Sequence, residues 1–243
     1  MNTIEIKNKS VLITGANRGI GLALVEKALE KGASKVYATY RSENNRSVLD
    51  NLSERVVPIH LDLTDASTVA NLSKSVLSLD VLINNAGLFT GIDVLEDSEE
   101  QLRNDIETNV FGTLAVTKAL VPVLKNQDPA AVINLSSIAG LASMPSFGGY
   151  SISKAGVHSL TQSLRGKLKA DGISVHGVYP GPVATRLTEG YDMETTPASV
   201  VAENIFEGLE NGVEDIFPDG LSEQVGPVYL SSPKTLEQNF SAF

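Results

Sequence analysis

Tyr150 is followed four residues later by Lys154, and Ser137 stands thirteen residues ahead of the tyrosine in the run Asn134-Leu135-Ser136-Ser137. On a helix, an i, i+4 spacing places two side chains on one face about a turn apart. A free phenol titrates at about pH 10, too high for acid–base work near neutrality, and an adjacent ammonium favours the phenolate. Lys154 would therefore make the Tyr150 proton usable, while the Ser137 hydroxyl could hold a substrate oxygen in line with the phenol. Of the six tyrosines, only Tyr150 has a lysine at i+4. A packed tyrosine beside a lysine that solvates its helix face is the competing reading of the pair alone.

A second group lies far upstream, in Thr14-Gly15-Ala16-Asn17-Arg18-Gly19-Ile20-Gly21. Glycines between an apolar strand and a helix let the backbone approach a pyrophosphate, and the helix N-terminus offers free N–H groups and a positive dipole end. The spacing is Gly-x-x-x-Gly-x-Gly and not the commoner Gly-x-Gly-x-x-Gly, so a glycine-rich turn without a ligand is the plainer alternative. About twenty residues further on, an acidic residue would bind the adenosine ribose of NAD. That corner here is Tyr40-Arg41. With Arg18 in the glycine loop, Arg41 offers a second guanidinium suited to a 2′-phosphate, which predicts NADP(H) over NAD(H). Glu43, two residues past Arg41, counts the other way if the corner presents it to the ribose. A cradle and a proton-transfer pair in one chain together imply hydride transfer to or from a carbonyl carbon.

The elements that must carry these residues alternate. Strands are predicted over 10–14, 35–40, 56–61, 79–84, 130–136, 174–179 and 215–217, and helices over 20–31, 66–77, 99–125, 151–170 and 198–211. Runs such as Val11-Leu12-Ile13 and Val81-Leu82-Ile83 are apolar at consecutive positions, which suits a parallel sheet covered on both faces. The expected fold is α/β: a single-domain Rossmann-like doubly wound sheet over 1–243, about seven mostly parallel strands with helices on both faces, and a crevice at the strands' carboxyl ends. Residues 183–197 carry little periodicity and read as a possible substrate lid. Ser98 with Gln101 forms a plausible capping box for the helix over 99–125. Asn109 falls in that helix's apolar row Leu102, Ile106, Val110 and Leu114, where a carboxamide must find partners. Either it is a core asparagine with a buried water, or it anchors a water that relays protons from Lys154. The end of the chain, 212–243, is expected to finish the last strand and pack against the body or a neighbouring subunit.

Composition excludes several function classes. The net charge of −10 argues against nucleic acid or an anionic membrane as partner. The absence of cysteine removes disulfides, thiolate nucleophiles and Cys-ligated zinc. His60, His158 and His176 are scattered without ligand spacing, so no metal site is expected. No apolar run spans a bilayer and Met1–Lys7 lacks a signal-peptide pattern, which makes the default address cytoplasmic.

Taken together, the chain resembles the short-chain dehydrogenase/reductase family in its single-domain form, over about residues 10–185. Besides Thr14 to Gly21, Asn109, Ser137, Tyr150 and Lys154, the resemblance rests on Asn84-Asn85-Ala86-Gly87 and on Pro180-Gly181 with Thr185. It implies that Tyr150 is the general acid–base, that Ser137 polarises the carbonyl, that Lys154 binds the nicotinamide ribose, and that Asn109 completes a water relay. It also implies cofactor contacts at Gly15, Asn17, Arg18, Gly19, Ile20, Gly21, Tyr40, Arg41, Asp62, Leu63, Asn85, Ala86, Gly87, Pro180, Gly181, Val183 and Thr185, with a homo-oligomer, dimer or tetramer, as the family's frequent state. The missing acid at position 40 goes in the family with NADP(H). Leu88, Phe89, Leu141, Met144, Phe147, Tyr179, Leu187, Tyr191 and Met193 are candidate pocket residues, suiting a hydrophobic ketone, aldehyde or alcohol. A catalytically silent dinucleotide-binding regulator is the alternative, with a halohydrin-dehalogenase-like lyase and a nucleotide-sugar epimerase weaker still.

Overall fold

The computed structural model describes every residue except Met1, Asn2, Ile92, Asp97, Tyr191 and Phe243. Seven parallel strands form one sheet: β1 Ser10–Ile13, β2 Lys35–Tyr40, β3 Val56–His60, β4 Val81–Asn84, β5 Ala130–Leu135, β6 Ile173–Val178 and, after two minor strands, Asp215–Ile216. The spatial order is β3-β2-β1-β4-β5-β6 followed by Asp215–Ile216 at the far edge. Strand order reverses between β1 and β4, so the loops after these strands part there and leave a crevice.

Strand alternation builds two cores from one sheet. Val11, Ile13, Val81, Ile83, Ala131 and Ile133 point to one side, against Leu24, Val25 and Ala28 of α1 (Gly19–Glu30). Val201, Ile205 and Phe206 of a later helix, Ala198–Glu210, close the same side. The intervening Leu12, Leu82 and Val132 face α3 (Ala66–Ser75) and α5 (Thr113–Leu124), α2 being the short turn Ser47–Asp50. Both faces being covered explains why β1, β4 and β5 are buried at every position.

The helix predicted over 99–125 is three pieces. α4 (Glu99–Ile106) passes into a π-helical turn, Glu107–Gly112, before α5 begins. Its buried row is Asp105, Asn109, Gly112 and Val116. Leu102, Ile106, Val110 and Leu114, the apolar row read from the sequence, are only half-buried. The predicted Ser98 cap is not formed: the hydroxyl lies 3.3 Å from Gln101 Oε1, and no side chain caps the helix. α6, the helix that carries Tyr150 and Lys154, runs Gly148–Leu168 and begins three residues earlier than expected, and α7 is Ala198–Glu210. Two further helices, α8 (Gly220–Ser231) and α9 (Pro233–Phe240), occupy the stretch expected to finish the last strand and pack against the body or a neighbouring subunit, for which no helix is predicted. Pro227 inside α8 and a short period hide them from pattern reading. The minor strands β7 (Val183–Ala184) and β8 (Thr196–Pro197) pair at the base of 183–197 and tie the two ends of that segment together.

Candidate active site

The glycine loop leaves β1 and turns into α1 with Gly15 at φ 62° and Gly19 at φ 55°, a left-handed backbone that glycine adopts without a Cβ penalty. Gly21 is required for a different reason: a Cβ there would strike the Gly15 carbonyl oxygen and stand 2.6 Å from Asn85 Nδ2. That same Asn85 amide donates to the Thr14 and Gly15 carbonyls at 2.8 and 3.1 Å. The Thr14 hydroxyl in turn accepts from the Asn85 and Ala86 N–H groups, both at 2.9 Å. The motif after β4 therefore braces the loop after β1. No side chain caps the start of α1, so its first N–H groups remain open to an anion. The cradle fits a pyrophosphate.

A crevice of about 1690 Å³ runs from this cradle across the sheet edge. Its walls include Gly15, Asn17, Arg18, Gly19, Ile20 and Gly21 from the loop, Tyr40 and Arg41 after β2, and Asp62 and Leu63 after β3. Asn85, Ala86 and Gly87 follow β4, and Pro180, Gly181, Val183 and Thr185 follow β6. All the cofactor residues expected from sequence thus meet on one surface. At the ribose corner, Tyr40 is buried and its hydroxyl donates to Glu43 at 3.0 Å. Glu43 is thereby turned to Tyr40 and Arg46 and does not line the crevice, whereas Arg41, Ser42 and Asn45 do. Asp62 accepts from the Thr64 N–H and hydroxyl, which hold its carboxyl below the usual range.

Ser137, Tyr150 and Lys154 stand together at the other end of the crevice. Ser137 follows β5; its hydroxyl donates to the Pro180 carbonyl at 3.3 Å and accepts from the Ala139 N–H. Tyr150 lies in the first turn of α6, where low-dielectric surroundings push the phenol up to about 12. The nearby Ser137 hydroxyl pulls that value down, and the charge of Asp105 pushes it further up. Lys154 is 5% exposed; its Nζ donates to the Leu135 carbonyl at 2.8 Å and sits 5.6 Å from the centre of the Tyr150 ring. Burial lowers this ammonium to about 8, against a smaller upward pull from Asp105. Ser136, expected from strand alternation to turn away, also borders the crevice; its hydroxyl donates to the Lys154 carbonyl at 2.8 Å, fastening α6 to β5.

Asn109 is fully buried and off the crevice wall. Its Oδ1 accepts from the Leu88 N–H at 2.7 Å, and its Nδ2 donates to the Leu88 carbonyl and to Ser153 Oγ, both at 2.8 Å. A Cβ on Gly87 would lie 3.1 Å from that Oδ1 and 3.5 Å from Lys154 Nζ, so the amide and the ammonium flank the same glycine.

The sequence profile described as short chain dehydrogenase matches residues 9–195. The chain belongs to the short-chain dehydrogenase/reductase family. An uncharacterized oxidoreductase of Staphylococcus epidermidis is 31% identical over 192 residues, covering 77% of this chain and 84% of that protein. A 3-dehydrosphinganine reductase of Arabidopsis thaliana is 33% identical over 231 residues, covering 90% of this chain and 69% of the plant protein. Among solved structures, a short chain dehydrogenase from Burkholderia cenocepacia in complex with NADP superposes with a TM-score of 0.91 at 31% identity, covering 98% of this chain and 99% of that one. The protein is thus an oxidoreductase of the short-chain dehydrogenase/reductase type.

In this dehydrogenase the crevice beyond Tyr150 is walled by Leu88, Phe89, Met144, Phe147, Leu187 and Met193, as expected from sequence. Two pocket candidates are corrected. Tyr179 is 1% exposed, stacks on Phe217 and hydrogen-bonds His158 at 2.7 Å, and Leu141 packs against that same cluster. Tyr179 belongs to the core because its hydroxyl finds partners there. Tyr191 lies outside the described residues. The wall's missing part comes from α8 and α9, which add Leu221, Gln224, Val225, Val228, Leu236 and Phe240. Asp219 joins this wall to the chemistry: its Oδ1 caps α8 through the Ser222 N–H at 2.9 Å, and its Oδ2 accepts the Gly181 N–H at 2.8 Å. Asp105 is another group missed from sequence, where nothing local sets it apart from a surface acid. Among the described residues no cluster of three metal-ligating side chains occurs, and no helix is long and apolar enough to cross a membrane.

Proposed function

We propose that this dehydrogenase is an NADP(H)-dependent carbonyl reductase, or alcohol dehydrogenase in reverse, acting on a hydrophobic ketone or aldehyde. The observation that carries the reading is the meeting of Ser137, Tyr150 and Lys154 at one end of a crevice whose other end is the glycine cradle. Gly15 to Gly21 and the start of α1 would hold the pyrophosphate, Arg18 and Arg41 the 2′-phosphate, and Val183 with Thr185 the carboxamide. NADPH, when bound, supplies the hydride. The NADP in the Burkholderia structure and the reductase name of the plant relative support cofactor and direction.

The chain's own residues then manage oxygen and proton. Ser137 donates to the substrate carbonyl oxygen and fixes it within reach of the phenol. As hydride reaches the carbon, negative charge grows on that oxygen and the Tyr150 proton moves to it. Lys154, held by Leu135, keeps a positive charge beneath the tyrosine as phenolate forms. The apolar wall from Phe89 to Phe240 excludes water and selects an apolar substituent. Asn109 serves this reading by fixing Leu88 and flanking Lys154. Residues 183–197 act as a lid hinged on the β7–β8 pair. Phe111 and Ile152, 52% and 45% exposed on the helical elements around the site, support a homo-oligomer.

Tyr150→Phe tests the reading. It should cut carbonyl reduction by a factor of a thousand or more (roughly 4 kcal/mol of barrier) while NADPH binding, read by fluorescence, stays near wild type. A Tyr150→Phe enzyme with near-normal rate rejects it; a wild-type protein that binds NADPH but reduces no ketone or aldehyde favours the regulatory alternative.

A further inference from the structure

The proton-transfer scheme leaves one enclosed acid unused. Asp105 has no exposed surface and lies one helical turn before Asn109 on the buried row of α4. Its Oδ2 accepts the Thr90 hydroxyl at 3.0 Å, and Oδ1 has no hydrogen-bond partner. Asn109 meanwhile grips Leu88 by both its N–H and its carbonyl. The two side chains thus hold the residues on either side of Phe89. The Phe89 ring meets the Tyr150 ring edge-on, with centroids 5.2 Å apart and planes at 86°, and meets Phe147 at 5.5 Å.

We propose that Asp105 is a positioning residue of the proton-transfer site: with Asn109 it clasps the Leu88–Thr90 segment so that Phe89 braces Tyr150, and, one turn before the amide that flanks Gly87 with Lys154, it supplies the negative charge on that ammonium's side of the site. The inference rests on Tyr150 being the proton donor. From α6, the ionisable groups whose charge couples to Asp105 are Tyr150 and Lys154; from the 88–90 segment the contact is Thr90, which is neutral. Glu99, Arg103 and Glu107 on its own helical stretch are all exposed. Burial holds the Asp105 carboxyl above its ordinary range, with Thr90 and Lys154 pulling it back. Once ionised, it makes a positive charge on Lys154 easier and a negative charge on Tyr150 harder. The site would therefore carry its own restraint: the cation is secured, and the phenol keeps its proton until a carbonyl oxygen takes it.

The test separates the clasp from the charge. Asp105→Asn keeps an oxygen to accept from Thr90 and removes the charge; Thr90→Val removes one tooth of the clasp and keeps the charge. In the full-length protein, ¹³C NMR of labelled lysine would follow Lys154, and of labelled tyrosine the Tyr150 ring, each assigned by Lys154→Met and Tyr150→Phe. Asp105→Asn should move the Lys154 midpoint down by roughly half a pH unit or more, a shift that a purely structural loss would not produce. Thr90→Val should displace the Tyr150 resonance in the sense that Phe89→Leu does, with the Lys154 midpoint in place. Either a Lys154 midpoint unmoved in Asp105→Asn or a Tyr150 resonance unmoved in Thr90→Val overturns the proposal. Tyr150→Phe with normal carbonyl reduction overturns it too, by removing the proton donor it serves, and only that outcome also rejects the proposed reaction.

Discussion

Lys154→Met should make the protein more stable and catalytically dead, and the size of the gain follows from the site. A lysine moved from 10.5 to about 8 by burial is a cation the fold holds at a cost. At ~1.4 kcal/mol per pH unit this is ~3 kcal/mol when both folded and unfolded chains are protonated. Methionine fills a similar volume without charge but gives up the 2.8 Å bond to the Leu135 carbonyl, about 1 kcal/mol. It also deprives Asp105 of an attractive charge, so the net gain at pH 7 should be about 1–2 kcal/mol. The sign with pH is fixed by linkage. Below about 8 the wild-type penalty is complete; between about 8 and 10.5 the folded protein holds fewer protons than the unfolded one, so wild-type stability rises with pH through that window. Urea unfolding without cofactor, from pH 6 to 9.5, should show the variant's advantage shrinking by roughly 2 kcal/mol at the alkaline end. A Met variant that is less stable than wild type at pH 7, by an amount independent of pH, would refute the reasoning.

The same ammonium should shape catalysis: kcat/KM for NADPH in carbonyl reduction, which reports the free enzyme, should be level near neutrality and fall as pH rises through about 8, while Tyr150 at about 12 stays protonated. A rate profile flat to pH 10 would contradict this. Arg41→Asp should weaken NADPH binding by roughly 10- to 100-fold, the worth of one or more charge-assisted hydrogen bonds, and shift preference toward NADH, as competitive fluorescence titration would show. Gly21→Ala should leave the circular dichroism spectrum intact and weaken NADPH at least tenfold, because its Cβ displaces the Gly15 carbonyl and the Asn85 amide that shape the cradle.

What could be read from sequence had a local cause. Gly19 and Gly21 answer to backbone needs that no other residue meets, and the Tyr150–Lys154 spacing is set by one helical turn, so both show in a short window. Consecutive apolar residues in β1 and β4 betray a sheet covered on both faces. The features that stayed hidden depend on partners distant in the chain. Asp105 looks like any surface acid until Thr90, fifteen residues back, is placed against it. The buried row of α4 lies off the Leu102–Leu114 stripe because Asp105 and Asn109 turn inward to Thr90 and Leu88, partners that a local apolar period cannot reveal. α8 carries a proline and is fixed by the Asp219 capping box and the Gly181 N–H, neither of which periodicity registers. Glu43 looked available to the ribose; Tyr40 and Arg46 draw it elsewhere.

Asp219 gives the molecule a division of labour. One oxygen of a single carboxylate is spent on the turn after β6, and the other on the first residues of the helix that walls the far side of the crevice. Side chains on the inner surface of that helix can change size or polarity from one descendant to the next without loosening the joint. New appetites can arise at the end of the chain while the geometry of oxygen and proton stays as it was.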